Sequence, residues 1–478
     1  MRPFEIFLLL IATILPFLIS KKFFKENKMA IIILILVVVV CQVLIEGFRW
    51  QLIPGLTMIL IVAILLYKEV KFLNGGWISN TLKILFWFIL LVFSWTLPYI
   101  FPVFNLPGPT GEYKVGSSYL KVATDSPEII TKDPKDNREF MVKVWYPATI
   151  NDEKKEQYLD QGNRLGFLNK YGLPKFTIDY LDYIDTHTYK SPEVIKGKFP
   201  VLIFSHGSYS EAFGYYALIE EIVSHGFIVF NINHTFESSG SLFPNGDIKL
   251  YNAAFDQETN DEKMREMAWN ATENYKKATT ENERFIAVED LIRDYVAGDI
   301  SKRWSADIST VIDNLDQWNK SSFLSKHLDL TKIGVFGHSQ GGTAVGQALI
   351  DDERINAGIN LDGVQWGPMI DSTITKPFML ISSDWNGDHL NLNKYAYRNL
   401  KNSEYYNITI KNTGHSNFMD IILLINFSYI NEAGQIDAYK GYKIISGLIL
   451  DFFNENLNNK DSNIEDLVDK FEEIEIVN

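Results

Sequence analysis

The chain has little cysteine and no excess of positive charge. Cys41 is the only cysteine in 478 residues, so an intramolecular disulfide is excluded and cysteine content does not identify the compartment. No Cys/His spacing typical of a metal site occurs in the sequence. The formal net charge of −14 argues against nucleic acid, or an anionic membrane surface, as a partner of the soluble part of the chain.

The first 104 residues carry few charges, and their apolar stretches predict membrane helices. The four stretches are Phe4 to Ser20, Ala30 to Ile45, Leu52 to Tyr67, and Leu82 to Phe104. A helix needs about 20 apolar residues to span the hydrocarbon core, with a lower limit near 17. We therefore predict about four transmembrane helices in residues 1–104. A cleaved signal peptide is the alternative for the first stretch, but only Arg2 precedes it and no A-x-A-like cleavage site follows.

Lysines are concentrated in two of the three predicted loops between these helices. The first loop carries Lys21, Lys22, Lys25 and Lys28, and the third carries Lys68, Lys71 and Lys83. The second loop carries only Arg49. The positive-inside rule places the lysine-rich loops in the cytoplasm, so the remainder of the chain is predicted to lie outside the cytoplasmic membrane. We see no pattern of intramembrane charges typical of a transporter, which favours a plain anchor.

Residues 105–478 alternate apolar strands with amphipathic helices. Phe199 to Ser205 is predicted as a buried strand, and a helix from Ala217 to His225 and a strand from Phe227 to Ile232 follow it. Apolar residues at i, i+3, i+4 and i+7 predict a further helix over 308–315. This alternation predicts an α/β domain with a doubly wound, mostly parallel sheet. A polar helical insertion is predicted near 236–300, as a cap over a site or as a surface excursion.

The motif that carries most chemical information is Gly337-His-Ser-Gln-Gly341. An apolar run from Ile333 to Phe336 precedes it, and a segment rich in small residues, Thr343 to Ile350, follows. A strand, a tight G-x-S-x-G turn and a helix form the nucleophile elbow of an α/β-hydrolase, in which glycines let the strand and the helix approach closely. The sequence therefore predicts this fold, with Ser339 as the nucleophile.

In this fold the base and the acid follow the serine in the order Asp/Glu, then His. Only His389 and His415 follow Ser339. His415 lies in a loop after the last predicted strands and is predicted as the general base, whereas His389 is predicted to be a loop residue. Asp362 directly follows a predicted strand from Ala357 to Leu361, and Asp384 directly follows one from Phe378 to Ser383, where the active sites of open α/β sheets form. The residue pattern alone leaves both aspartates open as the acid.

Two backbone N–H groups are predicted to form an oxyanion hole. One belongs to Gln340, directly after the nucleophile, and the other to Ser208, in the loop after the strand that ends at Ser205. His206 and His338 flank these positions. We predict that both histidines fix their loops by hydrogen bonds and do not act as bases.

Eight short motifs occur in one order along the chain. They are Leu106 to Gly116, Val142 to Pro147, Phe204 to Gly207, Ser224 to Val229, Gly337 to Gly342, Asn360 to Gly363, Lys376 to Phe378, and His415 to Asp420. Together they resemble the platelet-activating-factor acetylhydrolase family of α/β-hydrolases over about residues 105–455, without the membrane segment. In that family the acid follows the strand directly after the nucleophile helix, so the resemblance implies Asp362 as the acid.

The resemblance also implies a substrate class, namely short-acyl phospholipids or similar lipid esters. Two departures bear on it: Gln340 stands where family members often have an aromatic residue, and Asn233 to Glu237 lacks the basic residue expected there. The sequence as a whole predicts a membrane-anchored serine carboxylic-ester hydrolase with no metal or organic cofactor. The alternatives are a non-catalytic membrane receptor or scaffold on a hydrolase fold, and a dienelactone-hydrolase-like esterase or lactonase.

Overall fold

The computed structural model describes residues 1–384, 390–400 and 405–477. The chain divides into two compact units. The first unit consists of residues 1–105, 173–185 and 423–431, and the second of residues 106–172, 186–422 and 432–478. The sequence did not predict that two later segments belong to the first unit.

Helices make up most of the first unit. They are α1 (Pro3–Leu18), α2 (Lys22–Glu26), α3 (Lys28–Glu46), α4 (Ile53–Tyr67) and α5 (Trp77–Ile100). Three segments, Lys28–Glu46, Trp50–Tyr67 and Trp77–Ile100, are long and apolar enough to cross a membrane. The helix α1 is apolar but shorter, with 16 residues. Length and composition therefore support three of the four predicted spans.

The first unit also contains a buried ion pair that the sequence pattern did not indicate. Arg49 Nη2 lies 2.7 Å from Glu5 Oε2, and both side chains are fully buried. The later segments are tied to helix ends by hydrogen bonds: Trp50 Nε1 donates to Thr177 O at 2.9 Å, and Asn426 N donates to Ile100 O at 2.8 Å. A buried charge is stable only when it is paired, so Glu5 and Arg49 depend on each other.

The remaining strands and helices follow in chain order. The strands are β1 (Lys114–Pro127), β2 (Asn137–Thr149), β3 (Thr188–Lys190), β4 (Glu193–Val194), β5 (Phe199–Ser205), β6 (Ile228–Asn233), β7 (Gly240–Leu242), β8 (Ile248–Leu250), β9 (Leu328–His338), β10 (Ala357–Leu361), β11 (Phe378–Ser383), β12 (Tyr405–Ile410) and β13 (Ile474–Ile476). The helices are α6 (Gln161–Tyr171), α7 (Tyr216–Ser224), α8 (Ala253–Thr259), α9 (Glu262–Lys277), α10 (Glu281–Asp294), α11 (Ala297–Ser321), α12 (Gln340–Asp351), α13 (Leu392–Ala396), α14 (Ile421–Leu424), α15 (Ser428–Asn431), α16 (Ala438–Asn458) and α17 (Ile464–Lys470).

Across the described residues, eleven strands form one mixed sheet in the second unit. The order is β13-β12-β11-β10-β9-β5-β6-β2-β1-β3, with β4 beside β2. The six strands from β6 to β12 in this order are parallel, whereas β2 is antiparallel to both β1 and β6. The predicted α/β architecture is confirmed, with antiparallel strands at both sides of its parallel centre.

Parallel strands bring their carboxyl ends to one edge of the sheet. In the register, Ser205 pairs with Gly337, and Leu361 pairs with both His338 and Ile381. The loops after β5, β9 and β10 therefore begin side by side. This edge is where ligands bind in open α/β sheets.

The helix α11 covers the sheet with the predicted apolar stripe. Ile308 and Val311 of that stripe are fully buried in the main core, and so is Trp304, one turn before the predicted stripe. Burial of one such aliphatic side chain stabilises the fold by about 1.5–3 kcal/mol. The predicted insertion contains a β7–β8 hairpin, which was not predicted, followed by α8, α9 and α10. The helix α10 buries Val288 and Ile292 against Leu392, while α9 buries only Ala271.

Candidate active site

Ser339 lies in a sharp turn between β9 and α12. Its backbone has φ 56° and ψ −121°, a conformation that a non-glycine residue rarely adopts. A Cβ atom at Gly341 would lie 2.1 Å from Ser205 O, and one at Gly337 would lie 2.4 Å from Gly341 O. Only glycine fits these two positions, so the turn holds Ser339, which is partly exposed, at the edge of the sheet.

Asp362 and His415 meet beside this turn. His415 Nδ1 lies 2.7 Å from Asp362 Oδ2, and the carboxylate is 1% exposed. Ser383 donates two further hydrogen bonds to this carboxylate, from its backbone N–H and its hydroxyl, both at 2.8 Å. The Ser339 N–H donates to Leu361 O at 2.9 Å, directly before Asp362. An ionised carboxylate only accepts hydrogen bonds, so Nδ1 of His415 carries the proton. Nε2 of the neutral imidazole is then the nitrogen that can accept a proton.

The alternative acid, Asp384, has a different partner. Asp384 is exposed, and its carboxylate accepts a hydrogen bond from the Asn412 N–H at 2.8 Å. His389, the other histidine after the serine, lies outside the described residues. Between the two aspartates that the sequence left open, the geometry therefore favours Asp362.

The two candidate oxyanion donors flank Ser339. Gln340 begins α12, so its N–H lies at the positive end of that helix dipole. Ser208 follows Gly207, whose Cβ position would lie 3.3 Å from Ser339 Cβ. Within the described residues, neither the Ser208 N–H nor the Gln340 N–H donates a hydrogen bond to a protein acceptor. Both can therefore be directed at a substrate oxygen.

The Gln340 side chain is turned towards α11. Its Nε2 donates to Ala297 O at 3.0 Å and to Ser301 Oγ at 2.8 Å. These bonds anchor the start of α12 to the start of α11. The amide that stands where family members often have an aromatic residue thus has a partner on a neighbouring helix.

A hydrogen-bond chain links the loop of Gly207 to the loop of His415. The Gly207 N–H donates to Tyr215 Oη at 3.1 Å, and Tyr215 Oη lies 3.1 Å from His338 Nδ1. His338 Nε2 lies 3.1 Å from His415 O, and because a carbonyl oxygen only accepts, Nε2 is the donor. Burial, together with the nearby His415, lowers the pKa of His338 well below its usual value. His338 is therefore neutral, and it fixes a loop as predicted, although no sequence signal indicated Tyr215.

Asp420 joins the same two regions by a second route. Its carboxylate is fully buried and accepts hydrogen bonds from Tyr216 N at 2.6 Å and Ala217 N at 3.2 Å, at the start of α7. Tyr442 Oη donates to it from α16 at 3.3 Å. The loop that carries His415 is thus anchored to the helix that follows the oxyanion loop.

A second serine, histidine and aspartate set lies nearby, and sequence reasoning did not find it. Ser205 Oγ lies 2.8 Å from His234 Nε2, and His234 Nδ1 lies 2.7 Å from Asp307 Oδ2. Ser205 and His234 are fully buried and Asp307 is 3% exposed. Asp307 also accepts two hydrogen bonds from Arg138, the shorter at 2.6 Å. Ser205 lies in the Phe204 to Gly207 motif, but His234 and Asp307 are far from it in sequence, and no local motif links the three residues.

Two comparisons of sequence place the chain among known proteins. A family model described as "Platelet-activating factor acetylhydrolase, isoform II" matches residues 100–473. The platelet-activating factor acetylhydrolase of Cavia porcellus is 26% identical over 358 residues, which cover 73% of this chain and 76% of the relative. A probable 1-alkyl-2-acetylglycerophosphocholine esterase of Arthroderma benhamiae is 23% identical over 285 residues, which cover 55% of this chain and 62% of the relative.

A solved structure shares the fold. The ferulic acid esterase from Streptomyces cinnamoneus superposes with a TM-score of 0.60 at 19% identity. The match covers 79% of this chain and 100% of that chain. The predicted family and the predicted α/β fold are both confirmed.

Proposed function

The chain belongs to the platelet-activating factor acetylhydrolase isoform II family and is a carboxylic ester hydrolase, and on that premise we propose that it is a membrane-anchored serine esterase acting on short-acyl phospholipids or similar lipid esters. The observation that carries the proposal is the Asp362–His415 contact of 2.7 Å beside the elbow of Ser339. Acyl transfer through a serine acyl-enzyme uses a nucleophile, a base and an acid that orients the base, and we assign these roles to Ser339, His415 and Asp362.

The mechanism follows from the contacts. His415 Nε2 takes the proton of Ser339 as its Oγ attacks the ester carbonyl, and Asp362 holds the imidazole and stabilises the imidazolium. The N–H groups of Ser208 and Gln340 bind the oxyanion of the tetrahedral intermediate. His415 then protonates the leaving alkoxide, and a water molecule hydrolyses the acyl-enzyme by the same steps with the serine as leaving group.

The names of the relatives support the substrate class, since one is a platelet-activating factor acetylhydrolase and another a probable 1-alkyl-2-acetylglycerophosphocholine esterase. The test is hydrolysis of 2-acetyl and 2-palmitoyl phosphatidylcholine by the full chain in detergent, with Ser339→Ala as the inactive control. We expect the acetyl ester to be hydrolysed at least about tenfold faster, since a site built for a short acyl group excludes a long one. Turnover of lactones without turnover of the acetyl phospholipid would instead support the dienelactone-hydrolase-like alternative. A folded wild type that neither turns over nor reacts with a fluorophosphonate would support the scaffold.

We further propose that helices of the first unit anchor the chain in the cytoplasmic membrane. The second unit, called the hydrolase unit below, then lies outside. Three apolar segments of sufficient length and the lysine-rich loops support this orientation. The single cysteine makes a direct test available, because Cys41→Ser gives a cysteine-free background. In that background Lys22→Cys and Lys132→Cys replace two lysines that are both 86% exposed. A membrane-impermeant maleimide should label Lys132→Cys in intact cells, and Lys22→Cys only after permeabilisation; the reverse pattern would place the hydrolase unit in the cytoplasm.

A further inference from the structure

The Ser208 N–H shares a peptide plane with the Gly207 carbonyl. The described peptide bonds are trans, so this C=O and this N–H point in opposite directions. Any group that holds the Gly207 oxygen therefore also sets the direction of the Ser208 N–H. Gly207 is the residue whose Cβ position lies 3.3 Å from the nucleophile's Cβ, so this direction is set beside Ser339.

That carbonyl accepts two hydrogen bonds, a longer one from the Ser210 N–H at 3.2 Å and a shorter one from the buried ring of His206. Its Nδ1 lies 2.7 Å from Gly207 O, and because the carbonyl accepts, Nδ1 carries the proton. Its Nε2 accepts a hydrogen bond from the His234 N–H at 3.2 Å, which requires the same tautomer. The ring is fully buried, 5.0 Å from the ring of Trp304. Burial, with His234 nearby, lowers the pKa of His206 well below its usual value, so the neutral donor form persists.

The buried serine, histidine and aspartate set stands directly behind His206. His234 stacks on Trp304 with ring centroids 4.0 Å apart and planes inclined by 7°. Its ring is held at one end by Ser205 and at the other by Asp307, which Arg138 neutralises. Each of these contacts restrains the backbone of His234, whose N–H in turn fixes His206. Full burial of Ser205 removes it from any ester, so the set acts as support and not as a second nucleophile.

We propose that His206 is a positioning residue for the oxyanion hole: through its Nδ1–H bond to Gly207 O it orients the Ser208 N–H, and the buried Ser205–His234–Asp307 set fixes His206 in the tautomer that does so. This inference rests on the proposed function, since it needs an oxyanion to be bound. It assigns a role to a group of buried polar residues that takes no part in proton transfer.

Two matched substitutions separate the two hydrogen bonds of His206. In His206→Asn the side-chain amide nitrogen takes the place of Nδ1 and still donates to Gly207 O. In His206→Gln the amide reaches the place of Nε2 and accepts from His234 N, but Gly207 O loses its side-chain donor and keeps only the longer bond from the Ser210 N–H. The measurement is kcat and KM for p-nitrophenyl acetate with the full chain in detergent, next to wild type and Ser339→Ala, together with the melting temperature of each variant.

We expect kcat of His206→Asn to lie within about fivefold of wild type and kcat of His206→Gln to fall about 100-fold, with KM nearly unchanged for both, because loss of one oxyanion donor costs on the order of 10²–10³ in kcat. A structural role alone would lower kcat of both variants in step with their melting temperatures and would overturn the inference. Equal kcat of wild type and His206→Gln would overturn it as well. If wild type turns over no faster than Ser339→Ala, the proposed function itself has failed, which is a separate outcome.

Discussion

The second unit contains two serine, histidine and aspartate sets whose central geometry is the same. In each set, histidine Nδ1 lies 2.7 Å from an aspartate Oδ2: His415 and Asp362 in one, His234 and Asp307 in the other. The side chain of His415 is 29% exposed, whereas that of His234 is fully buried. We call Ser339, His415 and Asp362 the exposed set, and Ser205, His234 and Asp307 the buried set. Of the two serines, Ser339 has the strained elbow conformation and Ser205 does not.

The charges around the two aspartates differ as well. Asp362 is held by the N–H and hydroxyl of Ser383, which are neutral donors, so its charge remains available to a histidine that becomes protonated. Burial by itself raises the pKa of Asp307, but the Arg138 guanidinium and the hydrogen bond from His234 outweigh it and lower this pKa to about 2. Burial also lowers the pKa of His234. The same three residue types thus have two proposed roles: proton transfer where the histidine is exposed, and rigid support where the set is buried and paired with an arginine.

Removal of each serine should separate the two sets most sharply. Ser339→Ala should lower kcat by at least about 10⁴-fold, because the acyl-enzyme cannot form. Ser205→Ala removes one hydrogen bond and leaves His234 Nε2 without its donor, which should cost about 1–3 kcal/mol of stability and leave kcat within about tenfold. The measurement is steady-state turnover of 2-acetyl phosphatidylcholine together with fluorophosphonate labelling. Loss of labelling in a folded Ser205→Ala protein would contradict the assignment of the two serines.

The aspartates provide a smaller contrast, with opposite readouts. Asp362→Asn should lower kcat by about 10⁴-fold while it leaves the melting temperature close to that of wild type, because the amide no longer orients and stabilises the base. Asp307→Asn should destabilise the second unit by about 1–3 kcal/mol, because Arg138 loses the shortest of its three carboxylate contacts and keeps those to Glu128 and Glu237. Turnover per folded molecule should be reduced much less. The control is Asp384→Asn, which should change neither quantity; a large loss of kcat there would move the acid to Asp384.

Much of the exposed set could be predicted because its residues lie in short local motifs. The strand before Ser339, the flanking glycines and the loop around His415 each have a signature within a few residues, and the ends of β5, β10 and β11 were predicted at the residues where they occur. The choice of Asp362 over Asp384 needed the family resemblance, because both directly follow a strand. The structure adds the contact with His415 and the position of Ser383.

The buried set could not be predicted for a physical reason. Ser205, His234 and Asp307 lie on β5, after β6 and on α11, and no sequence pattern records which polar residues a folded core brings together. The hydrogen bonds of Tyr215 depend likewise on tertiary packing. The two segments 173–185 and 423–431 were missed because membership of a unit is a property of contacts and not of composition.

The smallest expected effect concerns the pH dependence of stability. Burial lowers the pKa of His206 well below 6.5, so the native state excludes a proton that the unfolded chain takes up as pH falls below about 6.5. The free energy of unfolding must therefore decrease as pH falls, by up to about 1.4 kcal/mol per pH unit from this residue. His206→Asn and His206→Gln both lack the titrating ring, so both should show a slope that is shallower by this amount between about pH 6.5 and 5.5. Denaturation of the full chain in detergent, followed by tryptophan fluorescence at several pH values, measures the slopes. Equal slopes for wild type and both variants would mean that His206 takes up its proton in the folded protein as readily as in the unfolded chain. Burial would then not keep His206 in the neutral form.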